Sequence, residues 1–322
     1  QIQKRDLETK DTKAQGGATL KDAAFEIITL NDNPVLVDGK LYNKGEVVKT
    51  IRTGIDGIAS TAADTLPYGK YRIEESEAPD GYLTEGAKAV EFSITENGKI
   101  VDLTGEDTSI YNQIKRGDIE GVKIGAGTHQ RLANVPFRIT SKTTGESHII
   151  VTDANGQFST SSAWVSHKQN TNEGKNSEDG IWFGTSEPDD SKGALLYDTY
   201  EIEELRCDSN KGFQLIPAFE IVVSKDKIVI DLGTLTDEYE KELTIHTTAT
   251  GADGEKSIIA GKEVTIVDTV ALDGLEVGTK YQLKGWQMVK DENAELLIDG
   301  EPVQSDYTFT ANKEQVEVEV SF

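Results

Sequence analysis

One acidic strand occurs twice in this chain, and the repeat limits what the chain can fold into. Tyr71-Arg-Ile-Glu-Glu-Ser-Glu-Ala-Pro-Asp-Gly-Tyr82 reads as a strand running into a Pro-Asp-Gly turn and an aromatic residue. A degraded copy returns at Tyr200-Glu-Ile-Glu-Glu-Leu-Arg-Cys-Asp-Ser-Asn-Lys-Gly-Phe213. The flanking segments repeat in the same order. Residues 20–27, 54–60, 66–73, 90–94 and 99–103 are answered by 132–139, 152–159, 195–202, 219–223 and 227–232. Most are short, alternate polar with apolar residues and stop at Gly, Asn, Asp or Pro. That pattern predicts antiparallel strands with one buried face, and helical periodicity is nearly absent.

Strands spaced about 8–12 residues apart point to a sandwich or partly closed barrel in each copy. The first copy is expected over residues 1–115 and the second over 116–238, with the boundary near Lys115-Arg-Gly117. A long polar stretch at about 161–191 interrupts the second copy and carries Trp164, Trp182 and Phe183. It is expected outside the core, with its aromatics capping an open end of the sandwich or contacting a ligand. A third pattern fills 239–322, with strand-like runs at 243–250, 262–270 and 278–289. It ends within a strand pattern at Phe322, so this module is expected to be incomplete or finished by another chain.

Composition narrows the partners. The 322 residues carry 57 Asp and Glu against 33 Lys and Arg, a formal charge of -24, which repels nucleic acid and anionic lipid. No run of apolar residues is long enough to span a membrane, so no membrane insertion is expected in this segment. Cys207 is the single cysteine, expected to pack against the sandwich, and leaves no internal disulfide to staple the fold. His129, His148, His167 and His246 lie far apart without metal-ligand spacing. Asp189-Asp190 lacks the spacing of a calcium loop, and neither a phosphate-cradling glycine loop nor a Gly-x-Ser-x-Gly elbow is present. The sequence thus calls for no metal, no cofactor and no enzyme acting on an outside substrate.

Each repeat does place a Lys near its start, a Glu on a middle strand and an Asn or Asp at its end. In the first copy these are Lys4, Glu75 and Asn112. Buried together, an amine and a carboxyl are driven toward neutral forms. A neutral amine is a nucleophile, a neutral Glu can shuttle a proton and an Asn amide is an electrophile. Composition alone leaves open that all three are ordinary surface residues.

The combination Lys4-Arg-Asp6, Ala23-Ala-Phe-Glu26, Tyr71 to Tyr82 with Glu75 and Pro79, and Ile110-Tyr-Asn112 resembles the CnaB-type domains of Gram-positive surface adhesins and pilins. The resemblance implies an all-β chain of tandem CnaB-like (prealbumin- or Ig-like) sandwiches in an elongated arrangement. It implies a first-strand Lys joined to a last-strand Asn or Asp with help from a Glu of the facing sheet: Lys4 to Asn112 through Glu75. The second copy looks similar, with Lys123, Glu204 (inward, unlike Glu203) and Asp237, where the bond would release water instead of ammonia. It lacks the first copy's Pro. Residues 239–322 resemble the front half of repeats closed by a Thr–Gln ester bond, which implies Thr247, beside Thr248, as the ester residue and Asp268 as an assisting acid. The Gln-bearing strand is expected beyond Phe322, so that no ester closes within this chain. Arg116-Gly-Asp118 is expected to be structural and not an exposed recognition tip.

The leading functional expectation is a stalk segment of a cell-wall-anchored adhesin or pilus-like protein, attached to the wall by sortase and held by internal covalent bonds. The alternative is a ligand-binding adhesin that contacts a host matrix or cell-surface ligand, protein or glycan, through the 161–191 insertion.

Overall fold

The computed structural model describes residues 1–169, 180–259 and 261–322. They divide into two compact units, Gln1–Tyr239 and Glu240–Phe322. The first unit begins with nine strands: β1 (Ile2–Asp6), β2 (Ala24–Thr29), β3 (Val35–Val37), β4 (Lys40–Tyr42), β5 (Val47–Arg52), β6 (Ile58–Ala59), β7 (Gly69–Glu77), β8 (Val90–Ile94) and β9 (Ile110–Asn112). One sheet runs β5-β2-β7-β8 and the facing one β6-β1-β9, with β3 and β4 as a separate hairpin. Alternation along β7 turns Tyr71 and Ile73 inward onto Ile2, Phe25, Ile27 and Ile110.

The second half repeats this plan with β10 (Arg116–Gly125), β11 (Pro136–Ser141), β12 (Ser147–Val151), β13 (Gln157–Ser159), β14 (Leu195–Leu196), β15 (Asp198–Glu204), β16 (Phe213–Gln214), β17 (Phe219–Val223) and β18 (Ile228–Tyr239). One sheet runs β12-β11-β15-β17, and the other β13-β10-β18-β16 with β14 beside β10. In both sandwiches the first strand lies parallel to the last, β1 on β9 and β10 on β18. Leu20, Tyr82 and Ile114 of the first half enter the second core beside Ile119, Phe137 and Tyr200. The two cores therefore meet through packed side chains, not across a bare linker.

The Pro-Asp-Gly turn explains itself here. Gly81 has φ +86°, and a Cβ on it would lie 2.5 Å from Ala18 Cβ and 2.9 Å from the Tyr197 ring, so only glycine fits between the two sandwiches.

Two expectations need correction. Residues 99–103 form no named strand, and only Leu103 bridges to Ile2. The parallel ladder resumes at Ile110 after a turn in which Ser109 Oγ donates to Gly105 O (2.7 Å) and Arg5 Nε donates to Ser109 Oγ (3.0 Å). In the second sandwich the same ladder passes with only a register shift, because β18 is continuous. The 161–191 stretch is not wholly outside the core either. Ile181 and Phe183 are buried in the second core, and Phe183 packs edge-on against His148 and Tyr200. Trp182 is buried too, whereas Trp164 is exposed. The Ile-Trp-Phe run is too apolar to leave in water when an open sandwich end lies beside it. Residues 170–179 of this insertion lie outside the described residues.

The second unit contains β19 (Thr244–Gly251), β20 (Ile266–Asp273), β21 (Lys280–Trp286), β22 (Met288–Val289), β23 (Ala294–Glu295), β24 (Leu297–Ile298), β25 (Glu301–Pro302), β26 (Gln304–Thr310) and β27 (Val316–Ser321). Its sheets run β19-β20-β27 and β21-β26, with β22-β23 and β24-β25 as short hairpins. Its core is small: Val270, Leu272, Leu275, Ala311, Val318 and Val320. Among the described residues no helix is long and apolar enough to cross a membrane.

Candidate functional site

Lys4 sits on β1, and its backbone N–H donates to Gly57 O (2.8 Å). Lys123 on β10 is fixed in the same way by Gly156 O (2.7 Å). Both glycines have positive φ, +72° and +68°, and a Cβ on Gly156 would lie 2.5 Å from Lys123 O. The last strand carries the partner two residues beyond the register pair. Lys4 lies opposite Ile110, two before Asn112, and Lys123 opposite Leu235, two before Asp237. Residues two apart share a face, so each Lys and its partner look into the same interior. The acid comes from the facing sheet, where Glu75 pairs with Phe25 and Glu204 with Phe137. Alternation turns Glu203 outward onto the exposed Arg138 (2.8 Å).

In the first sandwich Lys4 Nζ lies 3.1 Å from Glu75 Oε1, both side chains fully buried. Lys4 Nζ also donates to Ile110 O (3.2 Å). Asn112 Nδ2 donates to Glu75 Oε2 (2.6 Å) and to Leu83 O (2.5 Å). Two acceptors on that side fix the amide orientation, with its NH2 toward the carboxylate. Asn112 Oδ1 is buried without a hydrogen-bond partner among the described residues. Glu75 therefore bridges the amine and the amide nitrogen, one oxygen on each. Burial pulls the Lys4 ammonium down to about 8 against the opposing charge of Glu75. Burial likewise pushes Glu75 above the usual carboxyl range, although Lys4 and Asn112 oppose it. Both shifts favour the neutral amine–acid pair.

The second sandwich holds Lys123 Nζ 2.9 Å from Glu204 Oε2 and in direct contact with Asp237 Oδ1, all three side chains buried. Burial, reinforced by the neighbouring Glu204, raises Asp237 to about 6 despite its contact with Lys123. Glu204 is clamped by Asn210 Nδ2 (2.9 Å) and by Ile216 N–H (3.2 Å).

Sequence reasoning assigned no supporting role to two residues. Asn210 is one; its only trace is its place in the degraded copy of the Pro-Asp-Gly turn. Asp6 is the other. Its buried carboxylate accepts from Glu8 N–H (2.8 Å), Thr9 N–H (2.9 Å) and Tyr82 OH (2.8 Å). The Tyr that ends the acidic motif thus locks β1 two residues past Lys4.

The Arg-Gly-Asp tripeptide is internal. Arg116 is 1% exposed and Asp118 8%. The Arg116 guanidinium bonds Glu8 (2.7 Å), lies 3.7 Å over the Trp182 ring and donates to Phe183 O (2.9 Å). Burial alone would raise Glu8, but Arg116 outweighs it and holds the carboxyl at about 2.

Thr247 lies opposite Val270 and Ala249 opposite Asp268, which puts Thr247 and Asp268 on one face of the β19–β20 pair. Thr247 and Thr248 are exposed. Burial raises Asp268, opposed by the Thr248 backbone N–H. No hydrogen bond joins Thr247 to a glutamine among the described residues. Nor does any cluster of three metal-ligating side chains occur among them.

Residues 5–109 match the SpaA prealbumin-like fold domain, and residues 243–322 match the T-Q ester bond containing domain. No curated protein matches the chain. Among solved structures, the Bacillus anthracis TIE protein is 15% identical with a TM-score of 0.42; the match covers 97% of this chain and 47% of that one. The minor pilin of Streptococcus agalactiae is 13% identical, with a TM-score of 0.24 and coverage of 69% and 84%. The shaft pilin SpaA of Lactobacillus rhamnosus GG is 13% identical, with a TM-score of 0.23 and coverage of 74% and 96%. This chain thus spans about half the length of the TIE protein. The two family matches cover residues 5–109 and 243–322, and neither by itself spans half of the chain.

Proposed function

We propose that this chain is a load-bearing stalk segment of a cell-wall-anchored adhesin or pilus-like protein. Its two prealbumin-like sandwiches, 1–115 and 116–238, are each closed by an internal isopeptide bond. The carrying observation is the buried bridge from Lys4 through Glu75 to Asn112, repeated as Lys123, Glu204 and Asp237. In the first site the neutral Lys4 amine attacks Asn112 Cγ and gives a proton to Glu75 Oε1. The carboxyl returns a proton from Oε2 to the departing Nδ2. The C–N bond to Lys4 forms, the old C–N bond breaks, ammonia leaves and Glu75 ends as it began. In the second site a protonated Asp237 loses water by the same route.

Such a bond joins the first strand of a sandwich to its last. Pulling force entering at one and leaving at the other then runs through covalent bonds, where the β1–β9 ladder offers only hydrogen bonds worth about 1 kcal/mol each. Reaction within a closed site needs no oxidant, which suits a chain whose single cysteine cannot form an internal disulfide. Thr247 and Asp268 are proposed as the nucleophile and assisting acid of the third domain's ester. The ligand-binding alternative draws less support, because Trp182 and Phe183 of the insertion are spent on packing. Attachment to the wall by sortase and a host-surface ligand belong to this reading as proposals.

Tryptic mapping with mass spectrometry tests it. The wild-type chain should yield one branched peptide joining Lys4 to residues 100–115 and another joining Lys123 to residues 228–241. Recovery of unmodified linear peptides at both places would reject the reading.

A further inference from the structure

The second triad differs from the first in its electrophile, and one buried residue answers that difference. An amide such as Asn112 can be attacked as it stands. A carboxyl group must carry a proton before its oxygen leaves as water, so Asp237 has to be the acid and Glu204 the base. Both carboxyl groups meet at Lys123, and their surroundings decide which of them holds the proton.

Asn210 stands where that choice is made. It is fully buried and ends the short turn Asp208–Asn210. Its Oδ1 accepts the Cys207 N–H (2.8 Å), which leaves its NH2 to donate to Glu204 Oε1 (2.9 Å) and Leu205 O (3.0 Å). Arg206 holds the turn by donating to Asn210 O (2.7 Å) and Phe213 O (2.6 Å). The other Glu204 oxygen, Oε2, accepts from Ile216 N–H (3.2 Å) and Lys123 Nζ (2.9 Å). Both Glu204 oxygens thus face N–H donors, where a proton of its own would meet another hydrogen. Asp237 Oδ2 is buried without a hydrogen-bond partner among the described residues. Lys123 of β10 and Asp237 of β18 are the charged groups facing Glu204, and the rise of Asp237 to about 6 through burial and Glu204 agrees with a proton there. The first sandwich has no such clamp. Among the described residues no backbone N–H donates to Glu75, whose polar contacts are Lys4 and Asn112 themselves. Tyr82 follows Glu75 by seven residues and Phe213 follows Glu204 by nine, and the longer stretch holds the turn that carries Asn210.

We propose that Asn210 is a positioning residue that keeps Glu204 the proton acceptor and leaves the proton on Asp237, so that the second site can use an acid where the first uses an amide. The inference rests on the isopeptide reading of the second site. The neutral Lys123 amine adds to Asp237 Cγ and gives a proton to Glu204, which passes it to the departing hydroxyl. The C–N bond forms, the C–O bond breaks, water leaves and Glu204 ends as the carboxylate it was. An amide electrophile at position 237 needs no proton placed on it beforehand, so Asn210 matters only while residue 237 is an acid.

A double-mutant cycle in the full chain tests this. Wild type, Asn210→Leu, Asp237→Asn and the double variant are made by cell-free synthesis, sampled over time and mapped for the branched Lys123 peptide, with the branched Lys4 peptide as internal reference. Asn210→Leu should slow linkage at Lys123 by about tenfold or more when residue 237 is Asp, and by no more than about twofold in the Asp237→Asn background. Asn210→Ser, which keeps a hydroxyl for Cys207 N–H but falls short of Glu204, should repeat the pattern where leucine strains the turn. Equal slowing in both backgrounds marks a merely structural residue and overturns the proposal, as does no slowing in either. A wild type that links Lys4 but never Lys123 overturns the isopeptide reading of the second site, and this proposal with it.

Discussion

Glu75→Gln separates the fold of the first sandwich from its covalent closure. The substitution keeps the size and the hydrogen-bonding reach of the side chain but removes the carboxyl that lies between Lys4 Nζ and Asn112 Nδ2 and is proposed to relay protons between them. The core of this sandwich is made of Ile2, Phe25, Tyr71 and their neighbours, which the change does not touch. The variant should therefore fold and stay unlinked. The proposed wild-type bond would close a loop of about 110 residues, and the chain-entropy relation assigns that closure about 5 kcal/mol. For a cooperative unit the size of Gln1–Tyr239, each kcal/mol moves the midpoint by about 2–4 °C, so the Tm should fall by about 10–20 °C.

Mass and peptide mapping read the chemistry, and calorimetry reads the stability. Against its own sequence mass, the wild type should be light by about 17 Da for the ammonia and about 18 Da for the water, and Glu75→Gln by the water alone. A Gln1 that is N-terminal loses the same mass as ammonia if it cyclises, so the branched peptide is the deciding signal. Lys4→Met serves as the second unlinked protein. It leaves no amine in the core, so agreement of its Tm with that of Glu75→Gln assigns the loss to the bond and not to the altered carboxyl. A branched Lys4 peptide from Glu75→Gln would refute the proton-relay role. An unlinked variant melting within a degree or two of wild type would refute the energetic argument.

Glu204→Gln should keep the ammonia loss, abolish the water loss and remove the branched Lys123 peptide, whereas Glu203→Gln, altering only a surface pair with Arg138, should change neither mass nor Tm measurably. In Asn112→Ala, Lys4 remains a free buried amine whose pKa is lowered to about 8. Between pH 8 and its ordinary value of 10.5 the unfolded chain holds the proton more tightly, so this variant gains stability as pH rises through that window, relative to wild type, where Lys4 is proposed to be an amide; parallel denaturant titrations at both ends of the window check the sign. Glu8→Ala strands the Arg116 guanidinium between the sandwiches and should cost about 3–5 kcal/mol, read by chemical denaturation, with both branched peptides retained because neither triad is touched.

The fold was legible because it is written in local patterns, whereas the two Lys–Glu–Asn/Asp sets were named through the resemblance to CnaB-type domains, and the structure brings the members of each set together. Alternation along 71–77 and 200–204 decides which acid points inward, and the resemblance implies which lysine and which terminal residue it meets. What stayed hidden depends on partners far apart in the chain. Asn210 reads as one polar residue in a degraded turn, yet it holds Glu204 in place of anything the first copy offers. Asp6 reads only as a position of the Lys4-Arg-Asp6 motif until the fold brings Tyr82 onto it. The Ile-Trp-Phe run of the insertion reads either as a cap on an open sandwich end or as a ligand contact, and only the fold shows Ile181 and Phe183 inside the second core. The parallel pairing of the first and last strands explains why the cross-link residues are so constrained. Both copies place the acceptor two residues past the register partner of the lysine. A shift of one residue in that ladder would turn Asn112 or Asp237 to the opposite face of its sheet, away from the amine. Gly57 and Gly156, which hold the lysine backbones, and the Asp6–Tyr82 bond beyond Lys4 therefore belong to the proposed chemistry as much as Glu75 and Glu204 do.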